Sequence, residues 1–199
     1  MSAHGGVAMA PLPKIQKAQQ LVGNQLILRN AGVDDAAFIV RLRTDPKKRR
    51  YLSSTSTEIA AQVAWLAQYA YAADQAYFVV TEKTGAQVGT VRIYQPFGDS
   101  FCFGSWVMQD GVAVTHAVES LLIVYHYALD ILGFNRSYFA VRKANRSVWR
   151  FMQGFGGVRT GETAVDYLYA TERQPVEASF KRHAALLPAP VTVIHDPVS

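Results

Sequence analysis

Apolar positions along the chain repeat with two periods, and the alternation between them lays out the elements. Leu26–Arg29 (LILR) is a strand run. Asp34 or Asp35 then caps a helix whose Ala36, Ile39 and Val40 share a face, and Pro46 ends it. A second helix carries Ile59, Val63, Leu66, Ala67 and Ala70 on one side, with Thr55 and Glu58 at capping-box spacing before it. Three strand runs follow: Tyr77–Thr81, Gln87–Tyr94 and Phe101–Met108. Lys83–Gly85 and Pro96–Ser100 connect them as an antiparallel meander. Helical spacing returns at Val114, Val118, Leu121, Leu122, Tyr125, Ala128, Leu129 and Leu132, and Gly133 stops it. A strand at Ser137–Val141, a short helix ending in Gly154, Gly156 and Gly157, a strand at Val165–Ala170 and a small helix around Glu177–His183 complete the pattern.

This order predicts a mixed α/β fold, with helices packed on one mostly antiparallel sheet. Residues 1–22, rich in Ala, Gly, Pro and Gln, are expected to be a flexible leader. Residues 23–187 form one domain, and 188–199 a loose tail. Half of the 199 residues are apolar and 18% are charged, which excludes a disordered chain. The net charge of +5 favours anionic partners without choosing among them. A single cysteine, Cys102, leaves no internal disulfide and accords with a cytoplasmic location. His116, Glu119, His126 and Asp130 exclude the long helix as a simple membrane span. No signal peptide is expected at MSAHGGVAMAPLPK. No His, Cys, Asp or Glu cluster has metal-ligand spacing, so no metal is expected.

The segment RKANRSVWRFMQGFGG, residues 142–157, carries the most information. Its glycines are no dinucleotide fingerprint: they follow a helix instead of opening one, and the third position is Arg159. They end a helix. Asn145 stands between strand and helix, where Asn is also a good cap. Together with the element order over roughly residues 25–172, this arrangement resembles the GNAT superfamily of N-acetyltransferases. That family has an Asn after its fifth strand, a small residue about three positions on and a Gly about eleven on, here Asn145, Val148 and Gly156. The resemblance is nearest to the branch holding ribosomal-protein alanine and amino-sugar acetyltransferases. It implies that the fourth and fifth predicted strands splay apart and that acetyl-CoA lies in the gap. Asn145 would then be a cofactor-facing polar group, with Val148 and Phe151 as the helix face against CoA.

In the family, the long helix opens with R/Q-x-x-G-x-G/A, whose free N–H groups bind the pyrophosphate. The matching text here is Met108-Gln109-Asp110-Gly111-Val112-Ala113-Val114-Thr115-His116. Gln109 is in place, but Val112 and Val114 stand where small residues are expected, and Gly111 comes one position early. Either a remodelled turn still presents N–H groups from Gly111 to Thr115, or cofactor affinity is lost. Thr115 and His116 could add side-chain donors.

For the chemistry, the resemblance implies an oxyanion donor on the main chain at Val107 or Met108. The usual general-acid tyrosine falls on Met152, which donates no proton. The remaining candidates are Glu119 as base, Ser105 ordering a water, and Tyr94 touching the acceptor. Strand alternation puts Ser105 on a face with Phe103 and Val107, and Cys102 with Gly104 and Trp106. Cys102, between two phenylalanines, is expected to be structural. In this branch the acceptor lies over the first two helices, bordered by Arg43, the KKRR run (47–50), Tyr51, Ser53, Arg92 and Tyr94.

The expected function is transfer of acetyl from acetyl-CoA to a small-molecule amine, such as a nucleotide-linked amino sugar. The expected protein is a monomer or homodimer without nucleic-acid or membrane partners. The alternatives are acetylation of a protein N-terminus, or a degenerate fold that binds CoA or a partner without turnover.

Overall fold

Nine strands build one open sheet. The computed structural model describes residues 11–195. In chain order the strands are β1 (Gln20–Val22), β2 (Leu26–Asn30), β3 (Gln75–Glu82), β4 (Gln87–Phe97), β5 (Ser100–Met108), β6 (Arg136–Arg142), β7 (Val158–Glu162), β8 (Asp166–Glu172) and β9 (Thr192–Ile194). Their spatial order is β7-β8-β6-β5-β4-β3-β2-β1-β9. The helices are α1 (Ala36–Thr44), α2 (Ile59–Tyr69), α3 (Val114–His126), α4 (Arg146–Gly154) and α5 (Arg173–Arg182).

Every neighbouring pair is antiparallel except β5 and β6, which are parallel because α3 carries the chain back across the sheet. That exception makes the site. β5 and β6 share only three register pairs, Ser100↔Arg136, Phe101↔Ser137 and Cys102↔Tyr138, and then separate. The expected splay between the fourth and fifth strands is therefore found between β5 and β6, the count having moved by one because β1 precedes them.

The two sheet faces bury different cores. One packs α3 around Phe101, Phe103, Tyr125 and Phe134. The other packs α1 and α2 around Phe38, Ile39, Leu66 and Tyr77. After His126 the long helix widens into a single π turn, Tyr127–Ile131, and ends at Gly133, whose φ of +84° meets the left-handed requirement of the stop.

Several expectations change at the edges. The leader ends earlier than position 22: Ile15 and Ala18 are buried, and β1 pairs with β2. The tail is not wholly loose, because β9 pairs with β1. Residues 1–10 of the expected leader and 196–199 of the expected tail lie outside the described residues. Strands β1, β7 and β9 are too short or too polar to show an alternating pattern. The Thr55–Glu58 capping box does not form. The Thr55 hydroxyl is taken by Arg43 Nε at 2.7 Å, and Ser56 Oγ accepts the Glu58 N–H at 3.1 Å instead.

Glu119 is corrected here. It is only 1% exposed, and its Oε1 accepts the backbone N–H groups of Gln25 (2.8 Å) and Leu26 (3.2 Å). The carboxylate ties α3 to the β1–β2 turn and does not face an acceptor. Glu119→Ala would strand a buried donor, and we expect a loss of about 3 kcal/mol in a urea melt. Glu119→Gln keeps the accepting oxygen and should keep most of both stability and turnover. A general base would show the reverse, with intact folding and lost turnover in the Gln variant.

Candidate functional site

Beyond its last pair with β6, at Cys102, β5 carries a bulge against β4. From Arg92↔Gly104 to Thr90↔Val107, β4 advances two residues and β5 three. Ser105 is the extra residue, at φ +47°, and its carbonyl accepts the Thr90 hydroxyl at 2.8 Å. The bulge changes the phase of the strand. Trp106 turns to the α3 side, near Phe103 (6.2 Å between rings), and its Nε1 donates to Ser120 Oγ at 3.1 Å. Ser105 joins Cys102 and Gly104 on the opposite face, which corrects the simple alternation. Phe151 of α4 stacks on Trp106 at 5.5 Å, so the two rings wedge the diverging strands on the α3 side. Gln109 donates its N–H to Val88 on β4 at 2.8 Å. By the ladder's alternation the Met108 N–H faces the other way, toward the gap.

The turn before α3 bears on the cofactor. Among the described residues, the backbone N–H groups of Gly111, Val112, Ala113, Val114 and Thr115 have no protein acceptor, and the first helical donor in use is His116, to Ala113 O. Gly111 takes φ +82°, which a side chain would strain. Five consecutive free donors at a helix N-terminus could hold an anion without the family's glycines. Asp110 does not spoil it: Lys48 and Lys47 bind its carboxyl, hold it below the usual carboxylate range, and draw it toward the α1–α2 connector. His116 departs from expectation, since its Nδ1 lies 3.4 Å from Glu82 on β3.

Asn145 precedes α4 at φ −86°, ψ 66°, and its side chain caps no helix N–H. Its Oδ1 accepts only the Ser147 hydroxyl, at 3.3 Å, and among the described residues its amide NH₂ has no protein partner. Val148 and Phe151 pack against the α3-side core. Met152 is buried and can supply no proton.

On the α1–α2 face two cavities meet over the gap, and Arg43, Ser53, Tyr94 and Ser105 line both. The outer one, about 580 Å³, runs across β5, β6 and β8 beneath Tyr51 and Leu52. The inner one, about 340 Å³, runs under α2 to Trp65, Tyr77 and Arg92. Arg92 lies between two rings, 5.1 Å from Trp65 and 4.3 Å from Tyr94, and also contacts Gln75. Burial pulls its pKa down, yet a guanidinium keeps its charge. Burial, with Cys102 beside it, pushes the Tyr94 phenol up, so Tyr94 stays protonated at ordinary pH. Its hydroxyl reaches β5 at Gly104, where an added Cβ would come within 2.9 Å of it. Cys102 is buried, as expected, but it also lines the outer cavity.

The structure therefore brings Tyr94, Ser105, Arg43, Tyr51, Ser53 and Arg92 together and leaves Glu119 out. The sequence reading missed Trp65, Trp106 and Arg142. The first two sit at core-like spacings, and Arg142 is named only as the first residue of the segment 142–157. Among the described residues no three His, Cys, Asp or Glu side chains converge on a metal site, and no helix is long and apolar enough to cross a membrane.

Comparison with known proteins agrees with this geometry. A family model described as an acetyltransferase (GNAT) domain matches residues 25–158. FdhC, solved in its apo form and described as a nucleotide-linked sugar GNAT, is 30% identical. The alignment covers 84% of this chain and 98% of FdhC, with a TM-score of 0.75. A probable GNAT-family acetyltransferase from Chromobacterium violaceum has 17% identity over 89% of this chain and 98% of its own, at TM-score 0.72. The spermidine/spermine N-acetyltransferase SpeG from Vibrio cholerae has 15% identity over 77% and 97%, at 0.65. No curated protein sequence gives a significant match. The chain belongs to the GNAT acetyltransferases.

Proposed function

We propose that this protein transfers acetyl from acetyl-CoA to the amine of a small molecule, with a nucleotide-linked amino sugar as acceptor. The observation that carries the proposal is the pairing of five free N–H groups at 111–115 with a strand gap that opens onto two cavities on the opposite face. The resemblance to FdhC favours the sugar nucleotide, and so does a cationic, hydroxyl-rich wall.

CoA supplies the acyl group as a thioester. The N–H groups from Gly111 to Thr115 bind its diphosphate, with the positive end of α3 behind them. Asn145 bonds its amide-bearing arm, and Val148 and Phe151 wall it. The Met108 N–H holds the thioester carbonyl and strengthens its bond as the oxyanion forms. The acceptor amine enters from the α1–α2 side. Ser105 holds the water that takes the amine proton. The neutral Tyr94 phenol protonates the leaving thiolate, a role Met152 cannot fill. Arg43, Tyr51, Ser53 and Arg92 bind the rest of the acceptor.

Acetyl-CoA at about 100 times its Kd should stabilise the protein by roughly 2.7 kcal/mol, seen as a higher Tm. Asn145→Ala should raise the Kd about tenfold, or roughly 1.4 kcal/mol, in a calorimetric titration. Absence of any binding by CoA or acetyl-CoA sinks the reading. In a CoA-release assay with amino-sugar nucleotides, Tyr94→Phe should lower kcat by about 100-fold and leave the KM for acetyl-CoA in place. Unchanged kcat would remove Tyr94 as the acid.

A further inference from the structure

The inner cavity has a charge composition that the outer one lacks. Its lining holds two guanidiniums, Arg43 and Arg92, and no carboxylate. The hydroxyls of Ser53, Ser54, Thr55, Ser56, Tyr77, Tyr94 and Ser105 surround them. Arg92 has no ion-pair partner among the described residues, and its Nε is buried with no hydrogen-bond acceptor. A terminal nitrogen of Arg92 bonds Gln75, but a partly buried cation that no carboxylate neutralises is costly to a fold and is relieved by an anion. Arg43 is held ready: Nε donates to Thr55 Oγ1 at 2.7 Å, and a terminal nitrogen to Ser53 Oγ at 2.8 Å.

The other cationic patch does not compete. Arg142, which lines the outer cavity, is paired to Asp166 at 3.2 Å, and Lys143 to Glu162 at 3.5 Å. Their charge is already answered. The inner cavity's charge is not.

We infer that the Arg43–Arg92 cavity is an anion subsite that binds the diphosphate of the acceptor and makes the enzyme select anionic over cationic amines. The inference rests on the proposed acetyl transfer, and it adds the direction in which the acceptor lies. The amino sugar sits at the junction by Ser105 and Tyr94, over the gap. The diphosphate sits inward, on Arg92 and Arg43. The nucleoside passes outward between α2 and the 53–56 segment, along Trp65 and Gln62. A polyamine, with positive charge at every nitrogen, meets two guanidiniums and no carboxylate in this cavity, so it is rejected.

The test separates this subsite from the CoA turn, which also binds a diphosphate. Uridine diphosphate and inorganic pyrophosphate are titrated calorimetrically into the protein saturated with CoA, and again without CoA. Arg92→Gln and Arg43→Gln are compared with wild type, and their melting curves show whether each folds. Arg43→Gln removes a surface-reaching side chain and carries the test if Arg92→Gln does not fold. The expected result is binding of both probes in the presence of CoA, weakened at least tenfold by either substitution, and no competition from spermidine. Probe binding that neither substitution weakens overturns the subsite, as does normal CoA binding with no second site for either probe. Spermidine that displaces the probe overturns the charge selection. Loss of CoA binding in wild type would instead strike the acetyl-transfer reading, and the titration without CoA still reports on Arg43 and Arg92.

Discussion

Unsatisfied backbone polarity at one parallel strand pair is the constraint on which the site depends. A buried N–H or C=O needs a partner. β5 and β6 supply each other with partners over three register pairs and then part. The edges beyond must meet something else, and in the proposed reading that is the amide-bearing arm of CoA. The same logic operates one element later, where five N–H groups before and within the first turn of α3 have no protein acceptor. In the proposed reading one long ligand answers both deficits.

Side chains hold this geometry against the sheet's tendency to close. The bulge at Ser105 lets β5 turn away without losing its pairing to β4. Trp106 and Phe151 fill the wedge on the α3 side, and Trp106 is fixed by its bond to Ser120. On the other face the connector after α1 is tied in two places. Arg43 binds Ser53 and Thr55, and Lys47 and Lys48 bind Asp110 in the turn before α3. The segment that borders the acceptor and the turn that faces the cofactor are thereby joined by surface charges. Such pairs contribute little stability, so their consequence is positional.

Departures from the family pattern have physical substitutes. The missing glycines of the turn are replaced by a single left-handed Gly111 and by backbone donors left free. The missing tyrosine of α4 leaves Met152 as core, while Tyr94 reaches β5 from the opposite side through the space at Gly104. In the proposed mechanism a hydroxyl from β4 takes the role that the family gives to a tyrosine on the helix after the splayed strand.

The sequence by itself determined the elements whose signal is periodic: α1, α2, α3, the central meander and the short α4 with its preceding Asn145. Their order follows from spacing, and with it the parallel β5 and β6, but burial does not always follow: α2 buries Leu66 and Tyr69 and leaves Ile59, Val63, Ala67 and Ala70 of its expected apolar face exposed. What depends on long-range contact was decided only by the tertiary structure. Glu119 lies on a helix face like any candidate base, yet its carboxylate is consumed by two N–H groups more than ninety residues away. Ser105 changes face because of one extra residue in a bulge, which alternation cannot anticipate. The strands β1 and β9 form because β2 gives β1 a hydrogen-bonding edge and β1 gives one to β9, and at three residues each neither is long enough to declare itself. Arg43 and Arg92, about fifty residues apart in the chain, become one anion-facing pair only when α1 packs on the sheet and no carboxylate comes with them.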